Sequence, residues 1–371
     1  MRILKLIVFG ALGLSVGAAC STPFADPVDI DNCPKPAPAP WTGPLLIESK
    51  YDQSDASKST LRARSETSDA IQAQVGEFNK GLVRFADYAI ENADTGKGET
   101  ALICLSGWLH TWASGNALLH SESTKTGVAV RKWSLASIGS VLLKLERAMP
   151  DRLPEDPVRN RWLQALSDQV IADYDKRLDP DFSYFNNHDY WAAWAVATTG
   201  VLFKKQEQLV WADARFRRAI RQLEVSDSGK YAWLPNEVGR QHLAANYTHY
   251  ALVPLVMLAT VLPEHGFELS AGTQSKLDAL VNFAAQSVLD PEQLADVLSV
   301  DQESVPDYKL AWLIPWLKHH PDHILAKALY VDRDGDVDGY SQVGGKLEAW
   351  FGLPPTGAKA SSTPASRDAR S

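Results

Sequence analysis

Strand-like alternation is almost absent from this chain, and so are an excess of positive charge, a dense set of cysteines and, after the N-terminal segment, any long apolar run. Each absence excludes something. Without period-2 alternation the chain is not built on sheets. A formal net charge of −8 argues against nucleic acid as a ligand and offers no general attraction to a polyanion, so an acidic substrate must be held by a local basic patch. No later stretch approaches the roughly 18 uninterrupted apolar residues of a membrane span, so no transmembrane segment is expected. No fixed-period repeat is visible, which makes an α-solenoid only the second choice of architecture.

What is present begins with a secretory pattern. Arg2 and Lys5 precede an apolar run from Ile7 to Val16 and a small-residue exit at Gly17-Ala18-Ala19, so residues 1–19 read as a signal peptide and the protein is expected to be periplasmic or secreted. Cys20 follows as a lipidation cysteine would, although Gly17 stands where leucine is usual; a lipid anchor there is the lesser expectation. Cys33 and Cys104 then remain, an even number in an oxidising compartment, which favours one disulfide pinning the N-terminal arm to the body. Residues 20–45 form that arm, with Pro34 to Pro40 as a semi-rigid linker, and 354–371 form a polar tail with too little apolar surface to pack. One large domain, 46–353, lies between them.

Within it the apolar periods predict helices near 56–92, 98–120, 125–148, 156–177, 187–203, 206–225, 238–261, 272–288 and 307–330. Prolines punctuate the gaps. The expected fold is all-α, an incomplete (α/α) toroid of antiparallel helix pairs around a deep cleft. Twelve tryptophans are present; Trp108 and Trp112, Trp191 and Trp194, and Trp312 and Trp316 each share a helical face. Such faces pack cores or line clefts for sugar rings.

Two segments concentrate groups for acid–base work. Asn187-His188 sets an amide beside a titratable ring at the start of a helix, where the dipole favours anions. In Leu234 to Leu252, Asn246 and Tyr247 fall near the face of Tyr250, with Arg240 and His242 about two turns back. Amide, His and Arg donors suit an anionic carboxylate, and Tyr or His suits proton transfer when its surroundings shift its pKa toward the working pH.

The chain resembles the periplasmic, mannuronate-preferring alginate lyases. The resemblance rests on Asn186-Asn-His-Asp-Tyr-Trp-Ala-Ala-Trp194, Cys33-Pro, Trp41-Thr-Gly, Ser49-Lys-Tyr51 with Ser54-Asp55, Arg131-Lys-Trp133, Leu234-Pro-Asn-Glu237, Tyr250-Ala-Leu-Val-Pro-Leu255 and Leu310-Ala-Trp312. It implies an α/α toroid with a deep cleft, no obligatory metal and no cofactor, and β-elimination giving a 4,5-unsaturated uronate end. By position it implies that Asn187 and His188 neutralise the carboxylate, that Tyr250 is the acid and base, and that Lys50 and Tyr51 belong to a lid. Trp191 and Trp194 would lie near the sugars; Trp108, Arg131, Tyr190, His242 and Tyr247 complete the candidate substrate-binding set. The chain departs from the family where an arginine is expected seven residues before the tyrosine: Leu243 stands there, and Arg240 or His242 is the candidate replacement. The expected partner is an anionic polysaccharide, handled by a monomer, with an association to a polymer-export complex left open.

Three other readings compete. Asp189 and Glu237 are the pair a glycoside hydrolase on this architecture would use; a non-catalytic polyuronate-binding or export-scaffold protein would keep the cleft without turnover; and a different polyuronate, such as polyglucuronate, is compatible with Leu243. Asp334, Asp336 and Asp338, with Gly339, match half of a calcium loop, but Gly345 stands where the closing Glu belongs, which favours a solvated acidic turn. His319, His320 and His323 read as surface histidines at a helix end rather than a metal site.

Overall fold

The computed structural model describes residues 33–337 and 339–352. The signal peptide, Cys20 and the C-terminal tail lie outside the described residues.

Helices dominate: α1 (Glu66–Glu91), α2 (Gly96–Ser114), α3 (Lys125–Ala148), α4 (Pro157–Tyr174), α5 (Asn187–Leu202), α6 (Gln206–Arg221), the short α7 (Pro235–Val238), α8 (Ala244–Glu264), α9 (Ala271–Leu289), α10 (Leu313–His319), α11 (Ile324–Asp332) and α12 (Glu348–Phe351). Two-residue strands at Glu224–Val225 and Ala232–Trp233 make a small antiparallel hairpin. Helices α1, α3, α5 and α8 contact one another in that order as an inner arc; α2, α4, α6 and α9 pack behind them. The segment Ser341–Val343 returns against α1 and α3. This is the expected toroid.

Caps in the local sequence set the key starts. The Thr124 side chain accepts from Gly127 N and opens α3; Asn186 and Asp189 form a capping box at α5, each side chain bonding back to the other's end of the first turn. Helix α5 is buried on nearly every side, as a helix apolar all round must be. Its approach to α3 is so close that a Cβ on Gly139 would lie 1.9 Å from Thr198 Oγ1. Helix α8 has the length and apolar character of a membrane span, yet most of it packs inside the bundle.

Three elements differ from expectation. Residues 56–65 are not helical: Asp55 accepts from the backbone N–H of Ser57, Ser59 and Thr60, capturing donors a helix would need. Residues 50–62 instead form a flap closed by the Tyr51–Leu61 bridge. The stretch 238–243 is a turn and a single 3₁₀ turn at Gln241–Leu243, with Gln241 at φ +56°. The last expected helix is broken into a 3₁₀ turn, α10 and α11. Cys33 and Cys104 are disulfide-bonded, Cα atoms 5.5 Å apart, and Trp112 Nε1 donates to Pro38 O at 2.8 Å, so the arm is fastened to α2.

Candidate active site

The first turn of α5 forms one wall. Asp189 is fully buried and binds Arg177 in a fork, 2.6 Å to Nε and 2.7 Å to Nη2, while also receiving Asn186 N. The turn carrying Asn187 and His188 is thereby fixed from both ends. Asn187 N donates to Glu237 Oε1 at 2.7 Å and Nδ2 to Oε2 at 3.0 Å, whereas Asn187 Oδ1 is buried without a partner among the described residues. Glu237 is fully buried; burial pushes its carboxyl up to about 7 against the hydrogen bonds from Asn187 and the charge of Arg240. Lys132, on α3 and fully buried, places Nζ 2.7 Å from His188 Nδ1. Burial lowers both groups well below their ordinary values, and the lysine's charge further disfavours a charged imidazole.

Helix α8 forms the facing wall. Pro254 follows Tyr250 by four residues and has no N–H, so the Tyr250 carbonyl is left free within the helix; Trp191 Nε1 donates to it at 3.1 Å. The two walls are thus stitched at Tyr250. Burial raises the Tyr250 phenol above its ordinary range, opposed by hydrogen bonds from the Gln342 and Tyr340 side chains. Arg240 lies over the Tyr247 ring at 3.8 Å, 5.1 Å from that of Tyr51, and donates to Lys58 O on the flap at 2.6 Å. Tyr247 and Tyr51 are joined hydroxyl to hydroxyl at 2.9 Å. Lys309 Nζ sits 5.8 and 5.9 Å from the Tyr247 and Tyr250 rings, held by Asn246 Oδ1 at 2.8 Å, and burial brings it down to about 8.

The arrangement gathers Tyr250, the His188 imidazole and several cations under the flap of residues 50–62, while both Asn187 donors are spent on Glu237. The Alginate lyase family model matches residues 46–294, about two thirds of the chain. The chain belongs to the alginate lyase family. It is 31% identical over 325 residues to an alginate lyase of Azotobacter vinelandii, covering 84% of each chain, and 32% identical over 286 residues to one of Pseudomonas fluorescens, covering 75% of this chain and 74% of that one. Among solved structures it is similar to a tyrosine-to-phenylalanine variant of alginate lyase A1-III complexed with a tetrasaccharide, TM-score 0.68, 19% identity, covering 91% of this chain and 92% of that one. The A1-III enzyme of Sphingomonas species A1 itself gives a TM-score of 0.63 at 19% identity over 85% and 86% of the two chains. Those likenesses carry the α/α toroid fold.

Against this alginate lyase frame the candidate residues sort clearly. Asn187, His188, Tyr250, Arg240, Tyr247 and Tyr51 come together, and Lys50 lies on the flap with Nζ 4.9 Å from the Tyr51 ring. Trp191 lies beneath the site, 5.3 Å from Tyr250. Five others face elsewhere. Arg131 spends its guanidinium on Leu118 O, His120 O, Ser123 and Asp173. Trp108 packs against Phe78 and Phe85; Trp194 Nε1 donates to Ser140 at 3.0 Å; the Tyr190 hydroxyl accepts from Gln222. His242 lies outward, 3.4 Å from Glu303, and Leu243 is buried. Asp189 and Glu237, the hydrolase pair, are both spent on internal partners. Asp334, at φ +51°, and Asp336 occupy the turn after α11; Asp338 lies outside the described residues, and no cluster of three metal-binding side chains occurs among the described ones. Lys132, Lys309, Tyr340 and Gln342 were not foreseen. The only sequence signal was Lys132 on an apolar face beside Trp133.

Proposed function

We propose that the chain is an active alginate lyase that cleaves mannuronate-rich polymer endolytically by β-elimination, leaving 4,5-unsaturated ends. The observation that supports this reading is that Tyr250 is joined through Trp191 to the helix start carrying Asn187 and His188, with Lys309 5.9 Å from its ring and Arg240 over the neighbouring Tyr247 ring, where the family's arginine is absent at 243. Lys132 Nζ lies 2.7 Å from His188 Nδ1; when it donates there, Nδ1 is the acceptor and the ring proton sits on Nε2. That N–H and the Arg240 guanidinium are donors for the uronate carboxylate, which lowers the cost of the negative charge that develops as the C5 proton leaves.

Tyr250 enters the reaction protonated. In mannuronate the C5 hydrogen and O4 lie on one side of the ring, so the phenol gives its proton to O4 as its oxygen takes the one from C5. No free phenolate is required. The C4–O4 bond breaks, and its electron pair leaves with the departing sugar as a hydroxyl. Export to the periplasm accords with the Cys33–Cys104 disulfide, since such bonds persist in oxidising compartments.

The test is ultraviolet absorbance of the conjugated product on separate polymannuronate, polyguluronate and polyglucuronate. Polymannuronate is expected to give the fastest rise, and Tyr250→Phe to abolish it while the circular dichroism spectrum stays unchanged. Reducing ends without absorbance, or full activity in Tyr250→Phe, would refute the assignment.

A further inference from the structure

Glu237 sits fully buried on the short α7, and its carboxyl is turned onto Asn187. Oε1 accepts the Asn187 backbone N–H at 2.7 Å, and Asn187 Nδ2 lies 3.2 Å from Oε1 and 3.0 Å from Oε2. An ionised carboxylate has only acceptors, so this is the arrangement of the charged form. It leaves Asn187 with the wrong atom to offer an anionic sugar. That atom is Oδ1, an acceptor, buried and without a partner among the described residues. It would repel a uronate carboxylate, and an unpaired buried oxygen carries a cost of its own.

The neutral acid reverses this. Oε1, as its carbonyl oxygen, still accepts the backbone N–H, while Oε2 carries a proton and donates. That donor is matched when the Asn187 amide turns over, so that Oδ1 faces Oε2 and Nδ2 takes the place of the unpartnered oxygen. The two ends of an amide are nearly the same size, so the turn needs no extra room. Neither form of Glu237 is locked by its surroundings. Burial favours the neutral acid and brings the carboxyl up to about 7, with Arg240 opposing and Asp189 assisting. Asp189 is itself held in the Arg177 fork. The Tyr190 and Tyr250 phenols also feel the Glu237 charge, and burial keeps both protonated. Lys132, from α3, meets His188 instead.

We propose that Glu237 is a positioning residue for the elimination: protonated, it holds Asn187 turned over, with Nδ2 donating to the substrate carboxylate beside His188. Without that carboxylate the freed N–H has nothing to meet, and the turn gains little. With it, the acid, the amide and the anion are all paired. Seating a uronate and protonating Glu237 therefore favour one another. Glu237 acts only through Asn187. The inference rests on the lyase reading for the identity of the substrate.

The test is proton uptake when a mannuronate hexamer binds Tyr250→Phe protein, read by calorimetry in buffers of different ionisation enthalpy, so that no turnover intervenes. At pH 8 this protein should take up about one proton more than its Glu237→Gln derivative, and at pH 5 the two should not differ. Lys309, brought down to about 8, and His188 are present in both proteins and drop out of the difference. In an Asn187→Ala background the Glu237→Gln change should no longer alter the uptake, because no amide remains to be turned. In turnover, kcat/KM of the parent should fall about ten-fold per pH unit above 7 relative to Glu237→Gln. Equal uptake by the two proteins at pH 8 would overturn the proposal, and so would a difference that survives Asn187→Ala. A parent protein that binds the hexamer with the expected uptake but yields no absorbance would instead overturn the lyase reading, leaving the uptake comparison to judge Glu237.

Discussion

Replacing Glu237 by glutamine should remove a pH dependence of stability that the wild-type fold carries. The unfolded carboxyl titrates near 4.5 and the folded one near 7, because the side chain is fully buried and burial opposes its charge. Between those values the folded state holds a proton that the unfolded state has released, so stability falls as pH rises. Its full contribution is present below 4.5 and is gone above about 7. The difference of 7 − 4.5 = 2.5 units, at about 1.4 kcal/mol per unit, is roughly 3 kcal/mol. Glutamine mimics the protonated acid in shape and charge. It still accepts Asn187 N at Oε1, and its Nε2 can donate to Asn187 Oδ1, the atom now without a partner, once the Asn187 amide turns over. Thermal unfolding followed by circular dichroism from pH 4 to pH 9 is the assay. At pH 4 the two proteins should melt together; at pH 8 the variant should melt higher by about 5 °C, as expected for a domain of this size. A difference in Tm that does not change with pH would refute the reasoning, as would a variant less stable at pH 8 than at pH 4 relative to wild type.

Three further outcomes follow from the same walls. Lys132→Met should lower kcat roughly 100-fold and let the His188 ring populate both tautomers, visible in imidazole ¹⁵N shifts; an unchanged tautomer would remove Lys132 from the positioning role. Arg240→Ala should raise KM for polymannuronate at least about ten-fold and increase protease cutting within residues 50–62, since the same guanidinium holds Lys58 O; an intact flap with normal KM would contradict the geometry. Reducing Cys33–Cys104 reopens a loop of sequence separation 71, which chain entropy sets at about 4 kcal/mol; a chemical-denaturation midpoint unchanged by reductant would show that the arm does not need its bond.

Much of this was legible in the sequence where structure is local. Periodicity starts helices at 125 and 187, and α3 and α5 begin there, capped by Thr124 and Asn186. The failures are tertiary. Asp55 reads as a residue close ahead of a helix, and only the folded loop reveals that its carboxylate collects three backbone donors. Periodicity put Trp108 and Trp194 on helical faces without saying whether those faces meet the core or the cleft. Lys309 has no local mark because burial of a lysine depends on helices far away in sequence, and Gln342 reaches Tyr250 only when the chain closes across α1 and α3.

The single 3₁₀ turn at Gln241–Leu243 has a consequence for how such a site can change through descent. Asn187 and His188 ride on a helix packed on nearly every side, where almost any replacement disturbs several neighbours at once. The turn ahead of α8 is short, irregular and partly open, so exchanging arginine for Leu243 there disturbs little, and Arg240 reaches the cleft from three residues earlier. Novelty in this lyase is therefore expected to accumulate on the α8 approach, while the α5 wall stays fixed: one half of the site is heritage and the other is open to experiment.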